Sequence, residues 1–211
     1  MFTGIVQEIG IVRARIPTGN AMRFSIGAPA VAPKLSVGDS VSCDGVCLTV
    51  ETLEPGGFTA CAVPETLAKT TLDQWAAKDA VNLETALTAN APMGGHFVLG
   101  HVDGVCDVVE ARDLGDGGRE LTVRLPAEFL PFCVYKGSIT LSGVSLTIAA
   151  VEDDRVRVAL IPHTLAATTL GVRKAGDRLN FEADILAKHV ERQLQARQAR
   201  EAKSRESAHA V

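Results

Sequence analysis

PETLAKTTLDQWAAKDAVNLE, residues 64–84, recurs as PHTLAATTLGVRKAGDRLNFE, residues 162–182, with eleven of 21 positions identical at an offset of 98. The echo continues upstream at the same offset, from GVCLTV at residues 45–50 to GVSLTI at residues 143–148. Solenoid units run to roughly 50 residues, so this period belongs to a small domain instead. The 211 residues therefore divide into two copies of one domain, 1–94 and 95–184, and a C-terminal remainder, 185–211. Function is to be sought where the copies differ or face each other.

Each copy is dense in short segments rich in Val, Ile, Thr and Cys, punctuated by Gly, Pro and Asp. In the first copy, strands are expected at residues 5–16, 22–26, 40–43, 46–53, 58–63 and 81–84. The second repeats the plan at 102–109, 121–125, 138–141, 144–151, 155–160 and 179–182. A short helical phrase behind a proline precedes the last strand of each copy, at 66–72 and 164–170. Strand–helix alternation of the doubly wound kind is missing. The expected fold is all-β: two similar six-stranded antiparallel Greek-key barrels in tandem, closed so that no edge is left unpaired, plus a C-terminal helix.

That helix is expected over residues 185–205, where Ile185, Leu186, His189, Val190 and Leu194 form one stripe. Beyond Leu194 the apolar face ends and the tail is expected to fray. With no counterpart after the first copy, the helix is a natural contact between chains; packing on its own chain fits the pattern equally well. Residues 87–95, with TANAPMGG at their core, read as the loop joining the copies.

A net charge of -4 and few aromatics argue against nucleic acid as a partner. No apolar run is long enough for a membrane helix, and MFTGIVQEIG at the N-terminus does not read as a secretory leader. Five cysteines, an odd number, suit free thiols in a reducing compartment, with the cytoplasm as the default location. Cys43 and Cys47 lack the second Cys or His cluster that a zinc site needs, so no metal is expected.

MFTGIVQ at residues 1–7, GVCLTV, GGHFVLGHVDG from Gly94, KGSITLSGVSLTI from Lys136 and IPHTLAATTLG from Ile161 resemble the riboflavin synthases of the alpha-chain type. The resemblance covers residues 1 to about 192, five phrases in family order. It implies a dismutation of two 6,7-dimethyl-8-ribityllumazine molecules to riboflavin and 5-amino-6-(D-ribitylamino)uracil by transfer of a four-carbon unit, the last step of riboflavin biosynthesis. It also implies that no cofactor is needed, and a homotrimer in which the N-terminal barrel of one subunit meets the C-terminal barrel of its neighbour. The repeat then has a chemical reason: two identical substrates need two similar cradles. Holding both rings in place removes an entropic barrier of up to roughly 7 to 11 kcal/mol. The first step takes a proton from the C7 methyl group of one lumazine, leaving an anion that donors aimed at ring oxygens and nitrogens would stabilise.

The resemblance assigns residues as follows. His101 is the first candidate for acid–base work, since histidine shuttles protons near neutrality; His96, five residues before it, is the second. Cys47, whose counterpart is Ser145, is expected to line the pocket or donate a hydrogen bond more than to attack, because no base adjoins it in sequence. A cysteine in an apolar strand is ordinarily a core residue. Phe2 is expected near a bound ring, although a terminal aromatic otherwise plugs its own barrel; Thr3 and Gly4 follow it. Substrate contacts are expected from Ser40, Thr49, Thr66, Lys136, Ser145, Thr147, Ile161, His163 and Thr164. Thr66 and Thr164 would serve equally as helix caps, and Lys136 as an ordinary loop lysine. Asp184, opposite Ala86, is a feature specific to the second copy. A lumazine- or flavin-binding protein without catalysis, on the same duplicated barrels, is the competing reading.

Overall fold

A computed structural model describes residues 1–209. Twelve strands form two closed barrels with the same antiparallel order. In the first, β1 (Glu8–Thr18), β2 (Ala21–Gly27), β3 (Ser40–Cys43), β4 (Val46–Glu54), β5 (Gly57–Ala62) and β6 (Ala80–Thr85) run in the spatial order β1-β2-β5-β4-β3-β6. In the second, β7 (Gly104–Asp113), β8 (Arg119–Arg124), β9 (Ser138–Leu141), β10 (Val144–Glu152), β11 (Arg155–Leu160) and β12 (Arg178–Ala183) give β7-β8-β11-β10-β9-β12. The repeat in sequence is thus a repeat in topology.

Local rules account for the strands. Along β4, Val46, Leu48 and Val50 point into the barrel and are buried, while Cys47 and Thr49 face outward. Along β10, Val144, Leu146 and Ile148 point in, with Ser145 and Thr147 outward. The hairpins that carry these strands turn on two residues each. Asp44 and Gly45 have φ of 46° and 83°, and Ser142 and Gly143 have 44° and 78°, the left-handed pair that a two-residue hairpin turn requires. Bulges fall at two equivalent places in each copy, between Val12 and Ala14 and between Val50 and Thr52 in the first, and between Val108 and Glu110 and between Ile148 and Ala150 in the second. Each lets a strand bend around the barrel.

The helical phrases start earlier than the sequence suggests and are broken in two. α1 (Pro64–Lys69) and α2 (Pro162–Ala167) are each followed by a 3-10 turn, Thr71–Gln74 and Thr169–Val172. Thr66 and Thr164 therefore lie inside the first turns and do not cap them. Val63 and Ile161 stand at the N-caps, where Pro64 and Pro162 have no N–H to satisfy. The capping threonines are Thr70 and Thr168, which accept from Leu72 N–H and Leu170 N–H at the start of the 3-10 turns.

Each barrel has its own core. Phe24, Ile26, Phe58, Val81, Leu72 and Leu83 fill the first, with Trp75 edge-on to Phe24 at 5.1 Å. Leu121, Ile139, Leu141, Ile148, Leu179 and Phe181 fill the second, with Phe129 edge-on to Phe181 at 5.0 Å. Each aromatic pair adds roughly 1 kcal/mol beyond the area it buries. α3 (Ile185–His209) then leaves the second barrel as one helix. The stretch expected to fray is helical as far as His209; residues 210 and 211 lie outside those described.

Candidate functional site

The outward faces of the two short hairpins, β3–β4 and β9–β10, carry Ser40, Cys47, Thr49, Ser145 and Thr147 of the residues that the sequence marks. Ser40 pairs with Thr49 and Ser42 with Cys47 across the first; Ser138 pairs with Thr147 and Thr140 with Ser145 across the second. Cys47 is therefore a half-buried residue on the outside of its barrel, with no place in the core. Burial pushes the thiols of Cys106 and Cys133 up to about 12 and 11, and that of Cys43 well above its ordinary value, which leaves those three inert.

Two chain segments lie across these faces. The N-terminal residues and residues 96–100 pair as antiparallel strips: Phe2 N–H donates to Val98 O at 2.7 Å, Val98 N–H to Phe2 O at 3.2 Å, and His96 N–H to Thr3 O at 3.1 Å. The strips diverge to opposite barrels. Cys47 N–H donates to Gly100 O at 2.9 Å, and Ser145 N–H donates to Gly4 O at 2.8 Å. Phe2 is fully buried in this seam, and a Cβ on Gly100 would come 3.0 Å from its ring.

The first cradle is a cavity of about 270 Å³ lined by Val46, Cys47, Glu65, Thr66, Lys69, Thr70, Gly100, His101 and Val102. Strand β4 supplies Cys47, α1 supplies Glu65, Thr66 and Lys69, and the strip from the second copy supplies His101. His101 is exposed at the mouth of this cavity. Lys69 forms an i,i+4 pair with Glu65 at 3.5 Å. Sequence reasoning passed over Lys69, although its counterpart in the other copy is Ala167. That difference signalled a cation confined to one cradle.

The second cradle is organised around His96. Its Nδ1 lies 2.7 Å from Ser145 Oγ and its Nε2 3.2 Å from Thr140 Oγ1. With both ring nitrogens engaged by hydroxyls, the imidazole fixes the Ser145 side chain. Burial pushes its pKa down, against the opposing effect of Asp184, and so favours the neutral ring. His163 and Thr164 stand on α2, the counterparts of Glu65 and Thr66, with Ile161 exposed just before them. Thr49 and Thr147 are exposed on the outer faces of their strands. Lys136 is exposed at φ 64° before β9, its ammonium 5.1 Å from the centre of the Tyr135 ring. Asp184 accepts from Leu186 N–H at 2.9 Å at the start of α3.

The cradles are thus unequal. One combines a thiol, a carboxylate, an ammonium and an exposed imidazole. The other offers a hydroxyl hydrogen-bonded to a half-buried imidazole, with a second imidazole on its helix. A larger hollow of about 460 Å³ lies at the seam between Trp75 and Arg173, but it holds none of the residues singled out by sequence. Among the described residues, no group of three His, Cys, Asp or Glu side chains is arranged to hold a metal, and no helix is long and apolar enough to cross a membrane.

The lumazine binding domain family matches the chain twice, at residues 3–86 and 99–184. The chain is 42% identical over 200 residues to the riboflavin synthase of Brucella abortus, covering 92% of this chain and 98% of that one. It is 37% identical over 204 residues to the riboflavin synthase of Actinobacillus pleuropneumoniae, covering 97% and 94%. Among solved structures, LumP complexed with riboflavin superposes with a TM-score of 0.81 at 22% identity, over 87% of this chain and 99% of that chain. LumP complexed with 6,7-dimethyl-8-(1'-D-ribityl) lumazine gives 0.78 at 22% identity, over 86% and 98%. At that identity the likeness to LumP is one of fold.

Proposed function

The chain belongs to the riboflavin synthase family, and on that premise we propose that its catalytic centre joins two unequal lumazine cradles, the first supplied by one copy of the chain and the second by another. The family's reaction is the conversion of two 6,7-dimethyl-8-ribityllumazine molecules into riboflavin and 5-amino-6-(D-ribitylamino)uracil, with a four-carbon unit passing between them. The observation that carries the reading is the pair of equivalent hairpin faces, Cys47 on β4 and Ser145 on β10, each followed along the chain by its own helical phrase.

Within one chain, the strips holding Phe2 and Val98 run between these faces. The partner cradle then has to come from a neighbouring copy. The size of the first cavity agrees: about 270 Å³ is at or below the lower end for sites that enclose a ligand, roughly 300 to 1,000 Å³, as suits one wall of a shared site. A closed ring of three chains satisfies a head-to-tail contact of this kind.

In the first cradle, His101 moves the proton at the C7 methyl group and its anion. The Lys69 ammonium and the hydroxyl of Thr66 answer the negative charge that spreads over the ring. Cys47 lines the ring and donates its S–H. In the second cradle, Ser145, held by His96, positions the other lumazine, and His163 and Thr164 reach its ribityl chain. The free thiols of the five cysteines suit the cytoplasm.

The test is incubation of the purified protein with the lumazine alone, read by riboflavin fluorescence. One riboflavin per two lumazines, with nothing added, is expected; tight binding without turnover would mark a lumazine carrier instead. His101→Gln should lower kcat by about a hundredfold or more while lumazine affinity stays within about threefold. Equal loss of both would return His101 to the scaffold.

A further inference from the structure

Two carboxylates outside the ring-facing set share one unusual arrangement. Glu84 on β6 and Glu182 on β12 are only 4% and 2% exposed. Burial pushes both carboxyls upward, and among the described residues neither makes an ion pair. A buried charge of this kind is costly unless hydrogen bonds answer it. Here the backbone answers. Glu84 Oε1 accepts from Thr3 N–H at 2.7 Å and from Thr3 Oγ1 at 2.6 Å, and its Oε2 accepts from Gly4 N–H at 2.9 Å. Glu182 Oε1 accepts from Leu99 N–H at 2.8 Å, and its Oε2 from Gly100 N–H at 2.9 Å.

Each gripped strip continues to the other barrel. Gly4, held by the first barrel's Glu84, meets Ser145 of the second; Gly100, held by the second barrel's Glu182, meets Cys47 of the first. Only glycine fits at either crossing. Their φ values are +77° and +75°, and a Cβ would lie 2.6 Å from Ser145 Cβ or 2.7 Å from Cys47 Cβ. The residue after Gly100 is His101, at the mouth of the first cavity. On the other side, Thr3 O accepts from His96 N–H, and His96 in turn holds the Ser145 hydroxyl.

We propose that Glu84 and Glu182 are crossed positioning residues, each fixing from its own barrel the histidine that serves the other barrel's cradle: Glu182 sets His101 against Cys47, and Glu84, through Thr3, sets His96 against Ser145. The proposal rests on the reading of these cradles as the lumazine sites. Its consequence is that the first cradle's acid–base group is placed by a carboxylate of the second barrel, so the two halves of the duplication cannot be tuned separately. Carboxylates suit the task because two diverging oxygens accept two adjacent N–H groups at once.

The test uses Glu182→Gln and Glu84→Gln in the whole chain, with histidine ring nitrogens labelled with 15N and with lumazine turnover and binding measured. A Gln side chain keeps the shape but turns one acceptor into a donor facing an N–H. Glu182→Gln should move the ring signals of His101 and leave those of His96; Glu84→Gln should do the reverse. Because displacement of a positioned group by about 1 Å costs on the order of a hundredfold in rate, Glu182→Gln should lower kcat by about tenfold or more while lumazine affinity changes less than threefold. If either variant moves both histidines alike, or if His101 is undisturbed in Glu182→Gln, the proposal is overturned. Should a variant not fold, hydrogen exchange of the unmodified protein decides: the Leu99 and Gly100 amides should exchange only with global unfolding, and rapid exchange there sinks the clamp. The histidine signals are read without turnover, so failure of the clamp is distinct from failure of the synthase reading, which the unmodified protein's riboflavin production tests.

Discussion

At position 44 the first barrel carries an aspartate where the second has Ser142, in the same left-handed turn. Asp44 is 2% exposed, and burial pushes its carboxyl up to about 7, against the opposing effect of the bond it accepts from Asn82 N–H at 2.8 Å. A folded pKa above the unfolded value means that the native state holds the proton more tightly. The stability from that proton is full below about pH 3.9 and is lost as pH rises through about 7. Asp44→Asn keeps the acceptor and a residue tolerant of positive φ while removing the ionisation. Its stability gain over the unmodified protein should grow from pH 4 to 7, reach at most about 4 kcal/mol, and stay level above. Urea melts at pH 5 and pH 8 check this, and an equal shift at both would refute it. Other single residues were partly legible. Cys47, Thr66 and His101 were chosen from the sequence, and they line one cavity. The bond between His96 and Ser145 could not be read, because 49 residues separate them and neither belongs to a motif that names the other.

Among the elements, the strands were readable because alternation and glycine turns are local. The short helices were placed two residues late, since Pro64 and Pro162 occupy the first turn where threonine seemed the natural start. α3 raised a question that pattern alone left open, whether its stripe meets its own chain. Leu186, Val190 and Leu194 are 56%, 60% and 49% exposed in the single chain. The first turns are tied down by the Asp184 cap and by Lys188 paired with Asp103 at 2.6 Å. An apolar stripe so exposed calls for a partner. If the proposed ring of three chains forms through this stripe, replacing all three residues with glutamate should lower the mass in solution to that of one chain, 22.2 kDa, as read by sedimentation equilibrium. Unchanged mass would show that the helix is not the contact.

On the scale of the whole molecule, the barrels are joined by reciprocal contacts between equivalent residues. Gly45 and Gly143 abut there: a Cβ on Gly45 would lie 2.8 Å from Gly143 N, and one on Gly143 2.7 Å from Gly45 N. Around them, Asn82 Nδ2 donates to Ser142 O at 2.8 Å and its Oδ1 accepts from Thr169 N–H at 2.8 Å; Asn180 reciprocates with Asp44 O at 2.9 Å and Thr71 N–H at 2.8 Å. Asn82→Ala leaves a buried N–H and a buried carbonyl without these partners, at a cost of roughly 2 to 4 kcal/mol. Asn180→Ala should cost about the same, and denaturant melts of the two variants measure both; a loss under 1 kcal/mol would show that water replaces the amide. The sequence by itself determined two copies, twelve strands and the family, because periodicity and repetition are written along the chain. It also showed that Asn82 and Glu84 recur as Asn180 and Glu182. Only the tertiary structure decided that these four reach across the seam or grip the strips that cross it. Their partners lie 60 to 136 residues away, and a hydrogen bond over that distance leaves no period in the sequence; it exists only once both barrels have closed and set their turns back to back.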